Sequence, residues 1–417
     1  MGALKIAFWT SAGLLAYTQA GYPLLLAAWD RARRTRGAWV AGERSTGSLP
    51  AETSSAPPVA AATVATTDGG RAAAPAGGAP PAERPYVTLV IAAHREAAVI
   101  AGKVRNAREL DWPADRLEVI VACDGSPDET PRLAREAGAD VVLELPWGGK
   151  VRAQDAAVRA ADPRSSIIAF SDANSAWRAD ALAHLVERLE EPGVGYACGQ
   201  VRFVDASGGT NQEGLYWRYE MWLRERESRL CSVTAGNGAI YAVRRADYVE
   251  VDPVMGHDLS FPFNFVRRGR RAVYEPAALA TEKMVPSIEG EWARKRRMMS
   301  HAWPIVLRGG MLSPRGYPPA YAVMIASHRA LRYGAPLLHA VALGTSGALA
   351  GTAPVYATAF AGQAGLFGGA LLGRRLRARP LLVARYYVLT NAAIVAGLWD
   401  HLRHGTPAGW APPEGTR

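Results

Sequence analysis

Four short runs decide how this chain folds: YVTLVIAAH (86–94), LEVIVACDGS (117–126), DVVLELP (140–146) and SIIAFSDANS (166–175). Each is β-rich and apolar and ends in, or runs into, polar residues. Stretches with helical character separate them, roughly Glu96 to Leu110, Asp128 to Ala137 and Lys150 to Ala161. This alternation predicts an α/β fold, a mostly parallel sheet with helices on both faces. Ligands of such sheets bind beyond the carboxyl ends of the strands. The polar residues at those ends are therefore the first candidates for function.

Outward from this centre the material changes. Residues 40–84 are dominated by Ala, Gly, Pro, Ser and Thr and contain no aromatic residue. Such a stretch cannot bury enough apolar area to offset chain entropy and is expected to be a disordered linker. Ahead of it, Ile6 to Ala28 carries no charge and is long enough to span a bilayer, which takes about 20 residues. Arg31, Arg33, Arg34 and Arg36 follow it and only Lys5 precedes it, which places the following flank in the cytoplasm. A cleaved signal peptide would carry its charges first. Residues 1–30 are thus expected to be a retained transmembrane anchor, and 85–315 a cytoplasmic catalytic domain.

Downstream, 316–332 reads as an interfacial segment, with Tyr317, Tyr321 and Met324 beside His328, Arg329 and Arg332. Tyr333 to Gly373 contains no Asp, Glu, Lys or Arg, enough for two spans joined near Gly351 to Pro354. The basic loop GRRLRARP (373–380) belongs on the cytoplasmic side. Leu381 to Trp399, interrupted by Arg385, is a possible last span, so 333–400 is expected to hold about three transmembrane helices, with a tail at 401–417.

The net charge is +10, from 48 basic and 38 acidic residues. The basic residues mostly flank the apolar segments, which the positive-inside rule explains without a nucleic-acid partner. Three cysteines at wide spacing form neither a zinc pattern nor a disulfide framework. A transporter is disfavoured by few spans, a large soluble part and scarce intramembrane ionisable residues.

Glu96, Asp124, Asp172, Asn174 and Asp258 stand at strand ends or on loops. One such residue alone is commonly a turn or helix cap. Together they say more. Asp172 and Asn174 put two oxygen ligands on one side of an extended segment, a pattern that suits Mg²⁺ or Mn²⁺ bound largely through substrate phosphates. A separate carboxylate, Asp258, would take a proton from an attacking hydroxyl. Two acids with different tasks imply transfer from a phosphate-activated donor.

CDGS (123–126), GGKVRAQD (148–155), SDANS (171–175), TAGNGAIYAVRR (234–245), GHD (256–258) and EWARKRRMM (291–299), in this order, resemble the inverting family 2 glycosyltransferases of the GT-A (Rossmann-like) fold. The resemblance covers about residues 85–305, and the flanking apolar segments are similar to the membrane-bound bacterial branch. It implies that Glu96 and Asp124 hold the base and ribose of a nucleotide sugar, that Lys150 lies near the donor, and that Asp172 and Asn174 stand at the Asp-x-Asp metal motif. It further implies that Gly236, Asn237 and Gly238 line the acceptor side, with His257 next to the base Asp258. Arg297 matches the arginine of Gln-x-x-Arg-Trp and, with Arg294, would bind diphosphate.

The chain departs from the family at three places. Asn174 stands for an acid and His257 for an acidic residue, while Arg294 and Met298 replace the glutamine and the tryptophan. The missing tryptophan argues against processive synthesis. YWRYEMWLRERESRL (216–230) is similar to a Trp-and-Glu helix near the acceptor in relatives, and its periodicity predicts an amphipathic helix packed on the core. The expected partners are a nucleotide-sugar donor, a lipid-linked or glycan acceptor and membrane lipids. The opposing reading is a non-catalytic nucleotide-sugar sensor, for which Asn174 and His257 speak.

Overall fold

The computed structural model describes residues 1–45, 83–204, 212–283, 288–376 and 378–409. Most of the expected linker, 46–82, lies outside the described residues. Its first residues instead extend a helix to Ser45. The chain begins with α1 (Gly2–Ala16) and α2 (Tyr22–Ser45), continuous through a wide π-type turn at 17–21.

The alternation then follows as β1 (Val87–Ala93), α3 (Ile100–Arg108), β2 (Leu117–Asp124), α4 (Thr130–Glu136), β3 (Val141–Leu145), α5 (Lys150–Ala160) and β4 (Ile167–Asp172). Next come β5 (Ala176–Trp177), α6 (Ala181–Glu190), β6 (Val194–Val204), α7 (Gln212–Leu230), β7 (Ile240–Arg244), α8 (His257–Arg267), β8 (Arg271–Lys283) and α9 (Ile288–Leu307). The chain continues with α10 (Pro319–Met324), α11 (Leu331–Leu349), α12 (Pro354–Leu372) and α13 (Arg379–His404). The first helix of the alternation starts later than its sequence implies, because the carbonyl of Glu96 accepts the amides of Val99 and Ile100 in a turn.

The eight strands form one sheet in the order β3-β2-β1-β4-β7-β6-β8-β5. From β3 to β4 all pairs are parallel. Beyond β4 the sheet is mixed: β7 is antiparallel to β4 and to β6, β6 is parallel to β8, and β5 closes the far edge antiparallel to β8. All seven residues of β1 are buried, as a central strand covered on both faces requires. Leu89 and Ile91 pack with Val104 of α3 and Leu185 of α6. Val90 faces the other way, toward Ala157 of α5 and Phe261 of α8. Each fully buried Val, Leu or Ile contributes about 1.5–3 kcal/mol.

A third core joins the sheet domain to the flanking helices. Tyr22 and Leu26 of α2, Leu223 of α7, Phe263 of α8, Trp303 of α9, Tyr321 of α10 and Ile394 of α13 share one apolar cluster. The segment expected to lie at the membrane surface is turned inward here. Tyr321 and Met324 are fully buried, His328 and Arg329 are buried, and the Tyr321 hydroxyl donates to the carbonyl of Val233 at 3.0 Å.

At the opposite end, Phe8 of α1 packs with Leu349 and Tyr356, where α11 turns into α12. Two described helices, α12 and α13, are long and apolar enough to cross a membrane. Their geometry differs. α12 returns toward the domain, where Phe367, Leu371 and Arg374 share a pocket with Trp292 of α9. α13 begins there, Leu381 packing on Gly369 and Gly373. It then runs antiparallel along α9: Trp303 Nε1 donates to the Ile394 carbonyl at 2.9 Å, Gly397 abuts Met299, and Arg296 holds Asp400 through two bonds of 2.6 Å. The C-terminal part of α13 is thereby fixed to α9. Of the three expected spans, α12 and α13 have the length and apolar character to cross, and α13 also packs along α9.

Candidate active site

A cleft of about 530 Å³ opens at the carboxyl ends of the central strands. Glu96, Lys150, Asp172 and Asn174 line one end, Asp258 and residues 236–238 the middle, and Glu220, Arg329 and Arg332 the other end.

β2 ends in Asp124, which is 1% exposed. Its two carboxylate oxygens accept the amides of Gly148 and Gly149 at 2.7 and 2.9 Å. The His94 ring nitrogen Nδ1 lies 2.6 Å from its carbonyl. Asp124 thus holds the Gly-Gly loop from beneath, and its side chain is not among those lining the cleft. Each carboxylate oxygen is thus engaged by one loop amide. Glu96 does line the cleft, and its own amide donates to Thr130 Oγ1 at 2.9 Å.

The Gly-Gly loop delivers Lys150 at the first turn of α5, where the helix dipole disfavours a cation. The compensation is Asp172 at the end of β4, with which Lys150 Nζ is ion-paired. Burial pushes the amine down, but attraction to Asp172, then Asp258 and Glu282, outweighs it and holds the ammonium above the ordinary lysine value. Asn174 follows in the turn where the amide of Ser175 bonds back to the Asp172 carbonyl at 3.3 Å.

Asp258 stands in the first turn of α8, where a carboxylate is favoured. Its carbonyl accepts the Gly236 amide at 2.6 Å. The position of a Cβ on Gly238 would lie 3.7 Å from both Asp258 Cβ and Lys150 Nζ. Asp172, Lys150 and Asp258 therefore converge around one space.

Gly236 is needed for closeness rather than for a left-handed turn: a Cβ there would lie 1.7 Å from the Tyr196 hydroxyl oxygen. Neither Gly236 nor Gly238 has a positive φ. Asn237 is largely spent on backbone, at 3.3 Å from the Gly199 carbonyl and 3.4 Å from the Ala239 amide. His257 is a core residue at the cleft wall. It is 3% exposed, stacks on Phe261 with centroids 3.8 Å apart, and has Nδ1 2.8 Å from the Tyr241 hydroxyl. Burial, with repulsion from Lys150, holds its pKa well below the ordinary value, so the ring is neutral. His257 is nonetheless among the residues that line the cleft.

Arg294 and Arg297 of α9 both reach the cleft, Arg294 lying 5.9 Å over the Phe203 ring. Sequence reasoning missed several neighbours. Glu282 at the end of β8 lines the cleft with Lys150 and Asp172. Lys103 of α3 is buried beneath it, 5.1 Å over the Trp177 ring, and burial brings its amine down to about 7 against the pull of Asp172 and Glu282. At the far end, Arg332 pairs with Glu220, and His328 lies 2.6 Å from Glu227 and 3.4 Å from Glu220. Tyr22 donates to Glu227 at 2.6 Å, and Arg329 donates to Thr234 Oγ1 at 2.9 Å. The mixed aromatic and acidic pattern of 216–230 was the available signal, though it reads as a packed amphipathic helix.

Among the described residues no group of three or more His, Cys, Asp or Glu side chains could hold a metal ion. A hard cation still fits at Asp172 and Asn174 if diphosphate oxygens and water complete its shell, since Mg²⁺-type ions commonly take only one or two protein carboxylates.

A profile of the family described as Glycosyl transferase family 2 matches residues 88–251. These residues are a glycosyl transferase family 2 domain. The match runs from β1 past β7 and stops just short of Asp258. A beta-monoglucosyldiacylglycerol synthase of Trichormus variabilis is 30% identical over 176 residues, which is 39% of this chain and 36% of that protein. A poly-beta-1,6-N-acetyl-D-glucosamine synthase of Staphylococcus aureus is 22% identical over 233 residues, 53% of this chain and 56% of that protein. The chain thus matches between about a third and just over half of these relatives' lengths. The solved mannosyltransferase of Pyrobaculum calidifontis, in complex with GDP-Man and Mn²⁺, has a TM-score of 0.63 at 22% identity, covering 95% of this chain and 99% of that one. That likeness gives the GT-A-like fold, flanking helices included.

Proposed function

We propose that the chain transfers a sugar from a nucleotide-sugar donor to a lipid-linked or glycan acceptor at a membrane, with inversion at the anomeric carbon. The observation that carries this reading is the convergence of Lys150, Asp172 and Asp258 in one cleft of a family 2 domain. The donor nucleotide lies at the end lined by Glu96, over the Gly-Gly loop. Lys150 trades Asp172 for the diphosphate and neutralises the leaving group, aided by Arg297 and Arg294. An acceptor hydroxyl gives its proton to Asp258 as its oxygen bonds to the anomeric carbon. The bond from that carbon to the diphosphate breaks on the opposite face, and nucleoside diphosphate departs. Asp172 and Asn174 would hold a divalent cation, which would supply further positive charge to the diphosphate.

The apolar helices α12 and α13, and α1 with its basic following flank, support a membrane setting with the catalytic domain on the cytoplasmic side. The lipid-synthesising activity named for the Trichormus relative is in keeping with an acceptor delivered by the bilayer.

The experiment is a screen of nucleotide sugars with the full chain in native membranes, reading nucleoside diphosphate release with and without Mn²⁺ or Mg²⁺. One donor should turn over in a cation-dependent manner, and the labelled lipid or glycan identifies the acceptor. No turnover of any donor, with acceptor lipids present, would reject the reading.

A further inference from the structure

The residues that follow α13 return to the donor end of the cleft. Gly405, at φ +70°, ends the helix and turns the chain. Thr406 is then pinned twice: its Oγ1 donates to the Ser300 carbonyl at 2.9 Å and lies 2.9 Å from His401 Nδ1. Ala408 lines the cleft together with Glu96 and Lys150. The contact with the Gly-Gly loop is close. A Cβ on Gly149 would lie 2.2 Å from the Ala408 carbonyl oxygen, and one on Gly409 would lie 2.0 Å from the Trp147 ring.

The loop covered in this way is the one whose amides Asp124 holds from the other side, at 2.7 and 2.9 Å. Ser300, which receives Thr406, sits on α9, the helix that carries Arg294 and Arg297. One short segment therefore touches the Gly-Gly loop, the cationic helix and α13 together.

We propose that residues 405–409 are a strap that completes the donor site, buttressing loop 147–149 and retaining the nucleoside diphosphate, with Thr406 as its positioning residue. The strap is a wall and not a plug. With it in place the cleft still measures about 530 Å³, within the range of roughly 300–1,000 Å³ typical of small-molecule sites. The strap also makes the last helix part of the donor site: α13, clamped to α9 by Arg296 and Asp400, sets where the strap begins.

This inference rests on the donor end being a nucleotide site. The test uses the full chain in detergent and measures binding of GDP and of UDP, each with Mn²⁺, then donor KM and kcat. Thr406→Val keeps the side-chain shape and removes the hydroxyl. It should weaken binding of the preferred nucleotide about fivefold, the worth of roughly one hydrogen bond, and raise donor KM by a similar factor with kcat within twofold. Truncation after Gly405, which keeps the helix end, should weaken binding at least tenfold and speed hydrogen exchange at the amides of Gly148 and Gly149. Unchanged affinity in Thr406→Val overturns the strap, and tighter binding overturns it in favour of a plug. A drop in kcat and melting temperature at unchanged KM overturns it as well, since that is the signature of a purely structural contact. If the unaltered chain binds neither nucleotide, the donor-site reading fails and the strap falls with it; binding that the variants leave intact sinks the strap alone.

Discussion

At the donor end of the cleft, Lys150 and Asp172 keep 28% and 30% of their side chains exposed, whereas at the far end Glu220 and Glu227 keep 9% and 1%. The donor-end pair is a single contact that water reaches. The far-end acids of α7 are locked among Arg332, His328, Thr234 and Tyr22, contributed by α11, the stretches before α11 and β7, and α2. Burial would push the Glu227 carboxyl up, but His328, Arg329 and the Tyr22 hydroxyl together bring it below the usual carboxylate range. On the proposed mechanism, the pair that must exchange partners is the one left within reach of solvent. Charges meant to join the domain to its flanking helices are sealed and mutually satisfied, because an unpaired buried ion costs several kcal/mol.

The contrast can be broken most sharply at Asp258. Asp258→Asn should lower kcat by about 10²–10⁴-fold, the usual worth of a general base, while the melting temperature and nucleotide binding stay put. Transfer at the normal rate in this variant would remove Asp258 from the chemistry.

Glu227→Gln should do the reverse. Removing one partner of a buried ion cluster costs about 3–5 kcal/mol, so unfolding of the domain should come at clearly lower denaturant. An unchanged midpoint would mean that the sealed network does not hold the two parts together.

A smaller effect separates the donor end from what lies beneath it. The Lys103 amine is held at about 7 in the folded chain, below its unfolded value of about 10.4. Its burial penalty is therefore full below pH 7 and fades as pH rises toward 10. Lys103→Met should stabilise the chain by about 2–4 kcal/mol at pH 6, because the lowered value already includes the attraction to Asp172 and Glu282. The gain should shrink to nothing near pH 10. A gain independent of pH would show that the amine is not the origin.

The same contrast explains what could be read in advance. The first four strands were legible because apolar runs with polar ends recur at short range; β1, β2 and β3 pair in sequence order and β4 returns to the other side of β1. The mixed half was not: β6 pairs in parallel with β8 while β7 lies on its other side, an order that no local pattern encodes. Asp172, Lys150 and Asp258 could be named from their motifs. Glu220 and Glu227 could not, because their partners Arg332 and His328 stand about a hundred positions later and the charges look solvated on an amphipathic helix. Lys103 carries no local sign of burial at all. Asp124 was placed at the correct strand end, but the direction of its carboxylate depends on a loop more than twenty residues away. The apolar length of α13 reads as a crossing, whereas its contacts along α9 join residues about a hundred positions apart and leave no local sign.

The apolar cluster that unites Tyr22, Trp303 and Ile394 spans nearly the whole chain. The central strands can pair during synthesis, since domains tend to form as they emerge from the ribosome. This last cluster cannot close until the final helix has been made. Until then Tyr22 and Leu26 lack their late partners, and the nascent chain carries an open apolar seam from its beginning almost to its end.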